Sequence, residues 1–97
     1  MSKVLVEKTI EVLERDGWCQ RKLTNDQGQH CVLGAIVTAT NESGTSHLDY
    51  MDTRRELNRL ITDWGRDDMA IVRWNDAKHR RKGQVLRKLR KLKRRLS

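Results

Sequence analysis

The last twenty residues constrain the fold more than any other stretch. Residues 78–97 hold 11 Lys and Arg and no acid, a net +11, and like charges one turn apart oppose helix formation. Yet Val85, Leu86, Leu89, Leu92 and Leu96 fall within one narrow arc at helical spacing, while Arg87, Arg90, Lys91 and Arg94 point the other way. The pattern predicts a basic amphipathic helix whose apolar stripe needs a surface to cover it. Residues 1–77 hold 10 Lys and Arg against all 13 Asp and Glu, a net −3, so a mildly acidic body carries a cationic tail.

Periodicity predicts further helices. Over residues 2–16, Leu5, Val6, Ile10, Val12 and Leu13 share an arc with Thr9, and Lys3, Glu7, Glu11 and Glu14 lie opposite. Ser2 is placed as its N-cap, and Gly17 as the residue that turns left-handed after it. Residues 31–40 are apolar nearly all round and read as a short buried helix, with a strand as the alternative. Residues 41–46 read as loop, and Thr53-Arg54-Arg55-Glu56 matches a capping box that opens a helix over 53–64, carrying Leu57, Leu60, Ile61 and Trp64 and stopped by Gly65. Asp67 or Asp68 would cap a short apolar piece, Met69–Trp74. Between the first two helices, Trp18–Cys31 reads as a β-hairpin or hairpin-like loop turning at Thr24–Gln29.

At 97 residues and 36% hydrophobic, below the roughly 45–50% of an ordinary globular domain, the chain is one domain, 1–97, with a small core. The expected fold is mainly α: a small helical bundle with one short hairpin over 18–31 and a basic C-terminal helix over 78–97. Trp18, Trp64, Trp74 and Tyr50 are its expected core anchors. No apolar run approaches a secretory or membrane-spanning segment, so the expected location is the cytoplasm, with no membrane partner and with Cys19 and Cys31 reduced.

Three clusters, Gly17-Trp18-Cys19-Gln20, Cys31-Val32-Leu33-Gly34-Ala35 and Trp74-Asn75-Asp76-Ala77, follow one another at a spacing that resembles small uncharacterised proteins of actinobacteria and their phages, grouped as a domain of unknown function. The resemblance spans residues 5 to 92 or so. It implies a helical fold and a cytoplasmic or phage origin, and it carries no activity onto these positions. In that pattern a threonine cap and acidic residues stand around the last helix, whereas here Arg80-Arg81-Lys82-Gly83 stays basic.

The tail is the leading candidate site. Arg80, Arg81, Lys82, Arg87, Arg90, Lys91, Arg94 and Arg95 are the residues expected to contact a polyanion, either nucleic acid (DNA or RNA) or an acidic protein surface. The alternative is a phage-type module that binds a host protein through residues 18–30 and 53–64. A helix-turn-helix reading would place Arg55, Asn58, Arg59 and Thr62 on an exposed reading face, but a connection over 41–52 is far longer than that motif's turn. A cysteine hydrolase would need Cys31 activated at a helix start beside His30, with Asn75 or Asp76 orienting the histidine, and no oxyanion-hole or nucleophile motif accompanies them. Cys19, His30, Cys31 and His47 lack the paired spacing of zinc ligands. No cofactor is therefore expected, and the expected protein is not an enzyme. Leu89, Leu92 and Leu96 have coiled-coil spacing over less than two heptads, so a homodimer through them needs help from the body.

Overall fold

The computed structural model describes residues 3–62 and 69–96. It is mainly helical, with α1 (Lys3–Asp16), α2 (Val32–Ser43), α3 (His47–Thr62), α4 (Ala70–Asn75) and α5 (Lys82–Arg95). The placements of Ser2, Trp64, Gly65, Asp67 and Asp68 lie outside the described residues.

Helix α1 buries the arc its sequence predicts, Leu5, Val6, Thr9, Ile10, Val12 and Leu13. The buried Thr9 hydroxyl donates to the Leu5 carbonyl, so it adds no unpaired polar group to the core. Gly17 ends the helix at φ 96° and donates its N–H to Leu13 O at 2.9 Å. The core joins α1 and α2 to Leu57 of α3, Ile71 of α4 and Val85, Leu89 and Leu92 of α5. Trp18, Tyr50 and Trp74 are half-buried at its edge rather than enclosed within it.

Three boundaries differ from the sequence expectation. The first is that α5 begins at Lys82 and not at residue 78, because residues 76–81 form the turn from α4, with Arg80 Nε donating to Trp74 O. Helix α2 continues through the supposed loop to Ser43 and ends at Gly44, φ 67°. The hydroxyls of Thr40 and Ser43 donate to Ile36 and Ala39 carbonyls one turn back, while Glu42 is clamped by Arg15 at 2.8 Å and Lys8 at 3.3 Å. These contacts give the polar end of α2 partners that its composition alone does not reveal. Helix α3 then begins at His47, capped by Ser46, whose Oγ accepts from Asp49 N–H at 3.1 Å. The Thr53–Glu56 signature is therefore internal, and Thr53 is buried. The true cap, Ser46-x-x-Asp49, lies seven residues earlier.

Residues 18–31 form a folded loop rather than a regular hairpin. Only isolated bridges occur, Trp18 with His30 in parallel and Thr24 with His30 antiparallel, with no ladder between them. The expected turn is present: Asn25 Oδ1 accepts from Gln27 and Gln29 N–H, and Gly28 has φ 78°. The first arm is drawn away because Gln20 Nε2 donates to the carbonyls of Asn75 and Ala77 at 3.0 and 2.9 Å. Arg21 follows at φ 72°, an uncommon conformation for a side chain with a Cβ, its N–H held by Asp76 Oδ1.

Candidate nucleic-acid interface

Helix α5 lies on the body through buried Val85, Leu89 and Leu92, and packs against α1 and α3. This docking divides its cations. On the side towards α1, Arg90 reaches Glu14 at 3.3 Å and Lys93 reaches Glu7 at 3.5 Å, both exposed pairs of small energetic weight. Beyond Arg90, which borders both, a cleft of about 440 Å³ opens, lined by Trp74, Arg80, Gln84, Arg87, Lys88, Arg90, Lys91 and Arg94. None of these lining side chains is acidic, and among the described residues no ion pair engages Arg87, Lys88, Lys91 or Arg94.

Trp74 comes from the last turn of α4 and forms the aromatic wall. The Arg80 guanidinium lies over its ring at 4.1 Å from the centroid, with Nε donating to Trp74 O at 2.9 Å, and Lys88 Nζ is 6.0 Å from the same ring. Arg80 is thus partly spent on fixing the turn between α4 and α5. Of the eight expected contact residues, the fold gathers Arg80, Arg87, Arg90, Lys91 and Arg94 at the cleft, whereas Arg81, Lys82 and Arg95 are exposed outside it. Trp74, Gln84 and Lys88 join the cleft without having been expected there. Lys88 was detectable, since it sits four residues after Gln84 and three before Lys91 on one helical face.

A family of unknown function (DUF6197) has a model that matches residues 2–95. The chain belongs to this family. No curated protein and no solved structure matches it.

In this DUF6197 member the three clusters named from the sequence meet at Asn75, which is fully buried. Its Oδ1 accepts from Trp18 Nε1–H at 2.7 Å and from Val32 N–H at 3.0 Å, at the start of α2. Its Nδ2 donates to Cys19 O at 3.1 Å and Asp76 Oδ1 at 2.9 Å. Asn75 ends α4 and ties the 18–31 loop, α2 and the α4–α5 turn together. Close approach completes the joint, because a Cβ at Gly34 would run into the backbone carbonyl of Leu23.

The cysteine arrangement differs from the hydrolase expectation. Both ring nitrogens of buried His30 are engaged elsewhere, Nε2 with Asp16 Oδ2 at 2.9 Å and Nδ1 with Thr24 Oγ1 at 2.8 Å, so neither Asn75 nor Asp76 orients it. Cys31 caps α2, its Sγ accepting from Gly34 N–H at 3.3 Å. Burial pushes the Cys31 thiol up, outweighing the Gly34 and Leu33 amides that favour its thiolate. Cys19 is pushed up for the same reason, and its Sγ donates to the carbonyls of Gln29 and Lys22. Both cysteines are free thiols, and no metal-ligand cluster occurs among the described residues.

The α2–α3 connection is only residues 44–46, so the length objection to a helix-turn-helix does not hold. The reading face does not form as expected, however. Asn58 is buried, Thr62 is half-buried, and Arg55 and Arg59 pair along α3 with Asp52 and Glu56 at 3.7 and 3.1 Å. No helix of the described residues is long and apolar enough to cross a membrane.

Proposed function

We propose that this chain is a non-catalytic nucleic-acid-binding protein acting in the cytoplasm, with the α5 cleft as its binding surface. The observation that carries the reading is the unneutralised row Arg87, Lys91 and Arg94, which follows successive turns along one wall of a cleft without acidic lining. At a rise of about 1.5 Å per residue the row extends about 10 Å, and each cation that neutralises a phosphate releases condensed counterions. Such binding is salt-dependent and largely indifferent to sequence.

The test is the affinity of the full-length chain for labelled DNA and RNA as salt is varied, compared with a variant carrying R87Q, K91Q and R94Q. Each lost phosphate contact should lower the salt slope by roughly 0.7 to 0.9. An unchanged slope, or no binding by the intact chain at low salt, removes the proposal.

A second reading, a module that binds a host protein, is favoured by apolar side chains exposed on α2 and α3. Leu48 is 74% exposed, Met51 and Val37 are also exposed, and Val37 lines a hollow with Thr40, Asn41, His47 and Tyr50. The motif resemblance to actinobacterial and phage proteins fits such a role. Substitution L48E would weaken that interaction while leaving the salt-dependent binding of α5 unchanged.

A further inference from the structure

We infer that the α5 cleft takes single-stranded nucleic acid, with an unstacked base held against the Trp74–Arg80 pair; the inference rests on the nucleic-acid reading and names the strand state it selects. Neutralising phosphates needs only cations on a convex helix. This surface is instead a hollow of about 440 Å³ with an indole in its wall. Trp74 is half-buried and lines the hollow together with Arg80, whose guanidinium lies over the indole 4.1 Å from its centroid, so the pair presents a cation backed by an aromatic ring. Guanidinium planes and aromatic rings both stack on nucleobases, and stacking of this kind tolerates any base. A duplex keeps its base faces inside the helix, so it can offer this cleft only its phosphates.

The geometry assigns separate tasks along the cleft. Arg87, Lys91 and Arg94 follow the backbone, and the Arg80 guanidinium, seated on Trp74, receives a base turned out from it. Losing the stack should therefore lower affinity without altering the salt slope, and losing the cations should lower both.

The experiment compares three probes on the unaltered chain at fixed salt: a short single strand, an abasic strand with the same number of phosphates, and a duplex. The base-bearing strand should bind about tenfold or more tightly than the abasic one. W74L should remove that surplus and W74F should retain it, with salt slopes matching the unaltered chain. If abasic and base-bearing strands bind alike while R87Q/K91Q/R94Q still flattens the slope, the base-stacking inference is overturned and the nucleic-acid reading stands. If no probe binds at low salt, both fall. The abasic comparison needs no variant, so a fold weakened by W74L cannot obscure the result.

Discussion

Among single residues, Asn75 has the widest structural reach, because four groups from three segments converge on its amide. N75A would leave Trp18 Nε1–H, Val32 N–H and Cys19 O without their partner, each orphaned group costing about 1–3 kcal/mol. A loss of about 3 kcal/mol or more is expected, a large part of the roughly 5–15 kcal/mol typical of a domain this size. Urea unfolding monitored by circular dichroism measures it, and a loss under 1 kcal/mol would show that the network carries little. The two helical glycines should respond with opposite signs. Alanine is favoured over glycine inside a helix by up to about 1 kcal/mol, which is the gain expected for G83A, where a Cβ would meet open space. G34A should instead destabilise by about 1–3 kcal/mol, because a Cβ there collides with a backbone carbonyl that cannot swing aside. Thermal denaturation of the two variants side by side tests the contrast. The sequence shows part of this: Gly34 beside Ala35 reads as a place where a neighbouring element approaches closely, as Leu23 does, whereas Asn75 has the signature of a cap, and only the tertiary approach of residues 18–23 makes the two a joint.

At the scale of elements, periodic segments were readable and their polar ends were not. The buried arcs of α1 and α5 follow from 3.6-residue spacing, which depends on the chain alone. The end of α2 and the start of α3 depend on partners. Asn41-Glu42-Ser43 looks like loop until Arg15 and Lys8 of α1 are brought to Glu42, and Thr53 looks like a cap until it is buried. The α1–α2 clamp has a consequence in acid. Hydrogen bonds from Arg15 hold the Glu42 carboxyl down to about 2 from its ordinary 4.5, and Arg15 followed by His30 holds Asp16 well below the usual carboxylate range. As pH falls, the unfolded chain takes up these protons before the folded chain does. The clamp's contribution is therefore complete above about pH 4.5 and drains away as pH falls towards 2. Urea midpoints should decline across that window. E42Q should flatten part of the decline and leave the midpoint's pH dependence above it unchanged; a decline of undiminished size would show that the pair is screened by solvent.

For the whole molecule, the cationic helix is also one of the helices that build the core. The sequence placed the apolar stripe and the charges of α5 on opposite sides, but not the split of those charges between the acidic edge of α1 and an open cleft, which follows from how the helix docks. Trp74 escaped notice as a cleft residue because its burial is partial, and an isolated tryptophan in sequence reads as core. Docking also decides which experiments can separate binding from folding. Val85, Leu89 and Leu92 are essentially enclosed, and burying each side chain is worth roughly 1.5–3 kcal/mol. Together they supply on the order of 5–9 kcal/mol, comparable with the whole stability of a domain of this length. A chain ending at Ala77 should therefore lose its cooperative unfolding transition and its amide-exchange protection in α1, rather than persist as a folded body without a tail. L89A, at about 2–5 kcal/mol, should fall between that chain and the intact protein. If the shortened chain kept a sharp thermal transition near that of the full protein, α5 would be an appendage resting on a self-sufficient core. If it unfolds, loss of binding on truncation says nothing about phosphates, and only substitutions on the exposed wall of α5 can do so.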